Sequence, residues 1–479
     1  MLSYRYLTTS FFYTFAENNF CRNNFKNIQT TQKMFRHNRL VLIVLFVLLV
    51  LRQGNVNAQN EKVELTLSEA IEIALNESNS VKMADFTIEK TGYAKKGTYA
   101  SLYPNINVSG DYQRTIQKQV MAMDFGGQAM DIEVGKANNI SAGLSATMPL
   151  VNAQLWKSLK LSALDVEVAV EQARSSRISM VSQVKQSFYA VLLSKEVYYV
   201  YKEVYDNAAK NFEDTERKYK VGEVSEYDYL RSQVTYKNAE PNVYSSECAV
   251  ELAIWQLKAV MGIDLATDID VIGSLDEFTD EMLSSSLVYD SINIENNSDL
   301  KQLDIQMSMI DETIKMVKYQ YIPTLSGSFA YNFMAMGDDF NIKWNPYSVV
   351  GISLNIPIFD GFSKHNSIKQ YKMEKNILNL TIEDTRRNLN IAIKNYNDQM
   401  GTYIKNYSAA ESTLAVAQKS YDIAEKMYEC GKATLLELND AQLALTQAQL
   451  TLNQAIYDFM VAKASLDELM GVDYESNEK

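Results

Sequence analysis

A thirteen-residue pattern occurs twice, 209 residues apart, and each copy follows about seventy residues without a proline. Tyr219 to Arg231 reads YKVGEVSEYDYLR, and Tyr428 to Asp440 reads YECGKATLLELND. In both, a glycine (Gly222, Gly431) stands where a helix C-terminus needs positive φ. A hydroxyl residue follows three positions later (Ser225, Thr434) and an acid three beyond that (Asp228, Glu437), the capping-box pattern that opens a new helix. Two long helical hairpins, built by one device, are therefore expected in one chain. Val151 to Val221 alone would make about 106 Å of helix, too long for a compact globular domain.

The lengths around the first turn support a stacked arrangement. The return run, Glu226 to Gly262, is about 55 Å long and the opening run, Leu67 to Leu102, about 54 Å. Laid end to end, the two should match the long helix. Leu67 to Leu102 is expected to open at Ser68 and Glu69, and Pro241 to kink the return helix. The second half repeats the plan with Ile292 to Ile322, a long run from Phe362 to Cys430, and a return run. In that return run Ala441, Leu445, Ala448, Leu452, Ala455, Phe459, Ala462, Leu466 and Leu469 alternate spacings of four and three, a seam of the coiled-coil type. Both return runs end in Met-Gly, LKAVMG at Gly262 and LDELMG at Gly471. Ile263 to Val288 reads as an acidic, irregular linker.

The period changes between the helices. Asn105 to Gln113 and Ile140 to Met148 alternate apolar with small polar residues, and so do the segment after Pro323 (Leu325, Gly327, Phe329, Tyr331, Phe333) and that before Pro357 (Val350, Ile352, Leu354, Ile356). These are strands with one apolar face. Pro149 and Pro357 are expected to close the second and fourth, with Asn152 and Asp360 capping the helices that follow. Thr115 to Asn139 and Met334 to Pro346 read as loops. Strands of about ten residues fit tilted membrane-spanning β-strands, the competing reading being a small soluble sheet on the helices. Four strands cannot close a barrel alone, and open edges do not survive in lipid, so the membrane reading requires several copies.

Residues 34 to 58 carry a basic start (Met34 to Arg39), an apolar core (Leu40 to Leu51) and a Val56-Asn57-Ala58 cleavage site, as a secretory signal does. Twelve apolar residues fall short of the roughly twenty of a membrane-spanning helix. Met34 is then the expected start, residues 1–33 an upstream extension, 59–288 the first repeat, 289–472 the second and 473–479 a tail. Removing residues 1–58 takes seven of the 46 Lys/Arg and one of the 59 Asp/Glu, leaving 39 against 58 and a net charge of −19. That balance argues against a nucleic-acid partner. Cys430 lies at a turn and Cys248 about 39 Å up a helix, so no disulfide joins them. With His37 in the signal, only His365 remains in the mature chain, which excludes a His-based triad or the usual zinc site. No catalytic residue, cofactor or metal site is expected.

The duplicated order of helix, two strands, long helix, Gly turn and return helix resembles the TolC-like outer membrane efflux protein family over about Leu65 to Val472. The residues that carry the resemblance are the strand exits (Pro149 with Asn152, Pro357 with Asp360), the paired turns and the Met-Gly ends. The resemblance implies a mainly α fold with membrane β, in which long helical hairpins form a periplasmic tunnel. Four strands per chain would complete a twelve-stranded outer-membrane barrel in a homotrimer. It implies a tripartite efflux or type I secretion channel whose partners are a periplasmic adaptor protein, an inner-membrane pump and outer-membrane lipid. By position relative to the glycines, the periplasmic gate would fall on Tyr428, Asp228, Glu437 and Asp440, and the adaptor-docking tip on Gly222, Ser225, Gly431 and Thr434. The chain departs from the family pattern at Glu437, where an aspartate is typical, and at Ala433, where some members carry a basic residue. Asp228 and Glu437 also serve as caps in any helical protein, whereas Asp440 has no capping role. A secreted structural coiled coil and a simple diffusion porin are the alternatives: the first does not explain the strands, the second does not need the helices.

Overall fold

The computed structural model describes residues 63–125, 128–285, 294–339 and 343–474, all within one unit, Val63–Lys479. The upstream extension, the signal segment and the Gly126-Gly127 pair fall outside the described residues. The first half runs β1 (Val63–Leu65), α1 (Leu67–Glu77), α2 (Asn79–Ala100), β2 (Asn105–Arg114), β3 (Gln119–Phe125), β4 (Gln128–Val134) and β5 (Asn138–Val151). It continues with α3 (Ala153–Lys220), α4 (Glu226–Met261), β6 (Ile269–Val271), a 3-10 turn (Leu275–Phe278) and α5 (Thr279–Ser285). The second half runs α6 (Ser298–Tyr319), β7 (Thr324–Gly337), β8 (Asn345–Asn355), α7 (Ser363–Glu429) and α8 (Leu435–Met470).

Four strands form one antiparallel sheet in the order β2-β5-β7-β8. The register sorts most of their side chains by polarity. Ile106 pairs with Ala146, Ala146 with Phe329 and Phe329 with Val350, while on the other face Asn107 pairs with Ser145, Ser145 with Ala330 and Ser328 with Gly351. Because side chains alternate across a strand, one face is apolar across all four strands and the other mostly small and polar, with Met334 of β7 and Tyr347 and Val349 of β8 as its large side chains. The apolar face is uncovered: Val108 is 80% exposed, Val350 78% and Ile352 73%. On the polar face Gly143 makes room for Asn332, whose amide would overlap a Cβ at that position.

The helices keep the order of the strands they join. Near the sheet α2 packs on α3, α3 on α6 and α6 on α7; farther away α3 packs on α4 and α8, and α7 on α8. The return helices end against the starts of short ones. Gly262 (φ 76°) after α4 lies where a Cβ would come within 2.9 Å of Ser78 Cα, and a Cβ on Gly471 (φ 67°) after α8 would overlap the Asn296 carbonyl. The core sits at mid-length of α3, where Val184, Phe188 and Leu192 pack with Ile71, Leu257, Met261, Leu275 and Phe459.

Several expectations are corrected. The opening run is two helices, broken at Ser78, which caps α2. It starts from Thr66 rather than Ser68, because Thr66 takes the extended conformation and exchanges hydrogen bonds with Glu69, whose Oε2 accepts from the Thr66 amide at 2.9 Å. Only the 22 residues of α2 therefore stack with the 36 of α4, about 87 Å against about 102 Å for α3. The acidic linker is structured as far as Ser285, its described part: β6 pairs in parallel with β1 (Ile269 opposite Val63), and Leu275 and Met282 are buried. Asp264, Asp268, Asp276, Glu277 and Asp280 are exposed, while Ile269, Val271, Leu275 and Met282 enter the core. The loop Thr115–Asn139 contains the hairpin β3–β4, and β7 runs on to Gly337. Pro149 does not end its strand; β5 continues to Val151 through a register shift at Pro149, since a residue without N–H is accommodated where the ladder is irregular. Helix α6 starts at Ser298 behind the Asn297 cap. Asn152 caps α3 as expected, its Oδ1 accepting from the Leu155 amide at 3.1 Å. Asp360 reaches the Lys364 amide at 3.0 Å from outside the helix, across Gly361 and Phe362 in the left-handed region.

Candidate functional site

The two hairpin turns are the same structure built twice. Gly222 (φ 80°) and Gly431 (φ 69°) follow α3 and α7. Gly222 N–H donates to the Tyr219 carbonyl at 3.0 Å and Glu223 N–H to Lys218 at 2.9 Å; Gly431 N–H donates to Tyr428 at 2.9 Å and Lys432 N–H to Met427 at 2.8 Å. These are the two closing bonds of the Schellman motif. Ser225 and Thr434 are then the caps of α4 and α8.

The paired acids differ by one methylene, and the difference decides what each binds. Glu437 Oε2 accepts from the Thr434 amide at 2.7 Å and from the Thr434 hydroxyl at 3.0 Å, while Glu437 N–H donates to Thr434 Oγ1 at 3.3 Å. The backbone amide holds the Glu437 carboxyl below the usual carboxylate range. Asp228 bonds the Ser225 hydroxyl at 2.7 Å, and Ser225 Oγ accepts from the Asp228 amide at 3.2 Å. Both carboxylates are thus engaged by their own helix starts. Asp440 is exposed, and its carboxylate makes no hydrogen bond or ion pair with any described residue.

Tyr428 belongs to the contact between hairpins. Its hydroxyl lies 3.3 Å from Thr215 Oγ1 and the Lys218 ammonium sits 5.6 Å from its ring centre, so α7 meets α3 here. Asn439 with Thr235, and Asn207 with Gln442, add contacts from α8 to α4 and α3 at 3.4 Å. Tyr428 also packs beside Tyr421, Leu438 and Leu445, the start of the α7–α8 seam. No hydrogen bond or ion pair joins Asp228, Glu437 and Asp440 to one another among the described residues. His365 is exposed in the first turn of α7, and Cys248 and Cys430 are free and exposed.

One feature of this end escaped the sequence reading. Tyr205, Phe212 and Tyr219 on α3 interleave with Tyr236 and Tyr229 on α4 in a ladder of rings. Phe212 stacks on Tyr236 at 5.6 Å and Tyr219 on Tyr229 at 4.9 Å, and the hydroxyls of Tyr205 and Tyr236 lie 2.9 Å apart. The signal was the spacing of seven between aromatics on both helices. The second hairpin uses alanines in its seam instead, with Ala417 and Ala448 both buried.

A sheet with an exposed apolar face, a polar opposite face and helices about 100 Å long defines a channel subunit that joins a membrane barrel to a helical tunnel. A family model described as outer membrane efflux protein matches residues 70–262 and 291–472. The chain belongs to the outer membrane efflux protein family, and its place is the outer membrane. The outer membrane protein TolC of Escherichia coli is 19% identical over 349 residues, covering 70% of each chain. The Vibrio cholerae TolC is 18% identical over 378 residues, 78% of this chain and 83% of that protein. The probable efflux pump outer membrane protein TtgC of Pseudomonas putida is 20% identical over 388 residues, 78% of this chain and 76% of that one. Among solved structures, the Campylobacter jejuni CmeC outer membrane channel superposes with a TM-score of 0.65 at 17% identity over 86% of this chain and 87% of that one. The open state of the Neisseria gonorrhoeae MtrE channel gives 0.66 at 14% identity over 85% and 88%.

Proposed function

We propose that the chain acts as a homotrimer, a passive duct that receives cargo from an inner-membrane pump through a periplasmic adaptor and releases it outside. The observation that carries this is the sheet: four strands, one uncovered apolar face, and edges at β2 and β8 that are unpaired among the described residues. Unpaired edges have no solvent to satisfy them in a bilayer. Joining β8 of one copy to β2 of the next removes them, and three copies make twelve strands.

The helical layer supports the same join. Helix α2 carries exposed Met83, Phe86 and Tyr93, and α7 exposed Met373, Ile377 and Leu380, each set spaced by three, four or seven. The two helices flank the two free strands and run in opposite senses, so the stripe on one copy meets its counterpart on the next. Such a head-to-tail contact repeats until the ring closes.

The turns then form one end of the tunnel, with Gly222, Ser225, Gly431 and Thr434 at the docking tip. We assign the gate to Tyr428 and Asp440, with Asp228 and Glu437 primarily capping. Threefold repetition brings three Asp440 carboxylates near the axis, a ring that attracts divalent cations. Heat-modifiable migration of outer-membrane extracts tests the trimer; a monomeric band without heating would overturn it. In planar bilayers, block by magnesium ions should weaken in Asp440→Asn; unchanged block would remove Asp440 from the gate.

A further inference from the structure

The helix ends next to the sheet carry a charge opposite to that of the whole chain. In the twelve residues of α2, α3, α6 and α7 nearest the sheet stand ten lysines, no arginine and four acids, while the chain has a net charge of −13. Helix dipoles account for half of this. Lysines at the C-terminal ends of α2 and α6 are favoured, but α3 and α7 present their N-termini, where cations are disfavoured. Both lack an acid in the first turn, and Lys157, Lys160 and Lys364 stand within their first two or three turns.

A second observation accompanies the lysines. Exposed aromatic and large apolar side chains mark all four crossings from helix to strand: Tyr103 is 71% exposed, Trp156 54%, Tyr321 47% and Phe359 75%. On two chain segments a lysine lies one turn farther from the sheet than such a ring, Lys160 after Trp156 and Lys318 before Tyr321, and on α2 the Lys96 ammonium sits 4.9 Å from the Tyr93 ring centre. On α7, Lys364 sits 4.9 Å from the Tyr321 ring centre, and Lys369 and Lys372 follow it, exposed. Lys96, Lys318, Lys369 and Lys372 have no carboxylate partner among the described residues. Rings next to an apolar sheet and ammonium groups one turn beyond is the layering of a bilayer interface, where aromatic side chains sit at headgroup level and lysine stems extend past them.

We infer that the four lysines without a carboxylate partner, Lys96, Lys318, Lys369 and Lys372, form a collar that binds anionic phospholipid headgroups in the leaflet facing the helical tunnel. The inference rests on the membrane placement of the sheet and adds a lipid preference to it. Each lysine held near an anionic surface favours binding by about 1 kcal/mol, roughly fivefold.

The test uses the full chain inserted into phosphatidylcholine vesicles containing a minor fraction of phosphatidylglycerol, with the lipid that stays bound after mild detergent extraction then quantified. The wild type should retain phosphatidylglycerol at least fivefold above its bulk fraction, and K96Q/K318Q/K369Q should lower that enrichment at least fivefold while K96R/K318R/K369R keeps it. Raising the salt concentration should reduce wild-type enrichment, which serves as the second measurement where the glutamine variant does not insert. Equal enrichment in wild type and glutamine variant, or enrichment indifferent to salt, overturns the collar. So does a variant that changes anion-to-cation permeability with enrichment intact, since the lysines then line the duct. A wild type that inserts into no bilayer overturns the membrane reading itself.

Discussion

Glu312 shows what a single side chain does in this fold. It is buried on α6, with its oxygens 2.8 Å from Lys157, 3.1 Å from Lys160 and 2.8 Å from Lys315. Its burial opposes ionisation, but the three ammonium groups outweigh that and bring the carboxyl down to about 2. A depressed carboxylate contributes stability that is complete above its unfolded value of 4.5 and is lost as pH falls toward about 2. Thermal melts of wild type and Glu312→Gln between pH 6 and 2 should therefore converge at the acid end. At neutral pH the variant should be less stable by about 1–2 kcal/mol, under the cost of breaking a fully buried pair because Lys160 and Lys315 are half in water. Thr434→Ala, which removes the cap that engages Glu437, should cost about 0.5–2 kcal/mol, read as a lower melting midpoint with the fold retained. The Thr434–Glu437 pair was legible in the sequence because its partners are three residues apart. The Glu312 cluster was not, because two of its lysines come from a helix some 150 residues away.

At the scale of elements, glycines with the same backbone sign do different work. Gly222 and Gly431 have positive φ with nothing within 4 Å of an added Cβ, whereas Gly262 and Gly471 also abut the backbone of Ser78 and Asn296. Gly431→Ala should cost about 1–2 kcal/mol, the strain of a left-handed residue. Gly262→Ala and Gly471→Ala should cost distinctly more, since the joint between stacked helices must open; chemical denaturation of the three variants gives the order. The ring ladder of α3 and α4 makes a related prediction: Phe212→Ala, which removes the middle ring, should lower stability by about 2–3 kcal/mol and quench the ring-current shifts of Tyr229 and Tyr236. Turns, caps and the α8 seam were readable because their signals are local. The break at Ser78 and the strand Ile269–Val271 were not, since a core contact overrides weak propensity over a few residues.

For the whole molecule, the deciding property is which sheet face meets lipid. Leu144 and Ser145 are neighbours in β5 and point to opposite faces, paired with Tyr331 and Ala330. Leu144→Lys should cost about 2–4 kcal/mol near the bilayer centre and reduce the yield of heat-modifiable trimer, while Ser145→Lys should leave the yield intact and change conductance. Equal loss from both would contradict the assignment of faces.

The sequence by itself determined the helical hairpins, the four alternating strands, the capping of both turns and the duplicated order that places the chain in its family. All of these arise from interactions within a few residues, or from periodicities that a linear reading detects. Only the tertiary structure decided the strand order β2-β5-β7-β8, the joints at Gly262 and Gly471, the folded segment after α4, the salt cluster at Glu312 and the contact of Tyr428 with Thr215 across the hairpins. These depend on groups that are distant in sequence and meet only when burial and register bring them together. The same register that sorts most apolar from polar residues leaves the outer edges of β2 and β8 unpaired among the described residues, the edges that the proposed trimer would join.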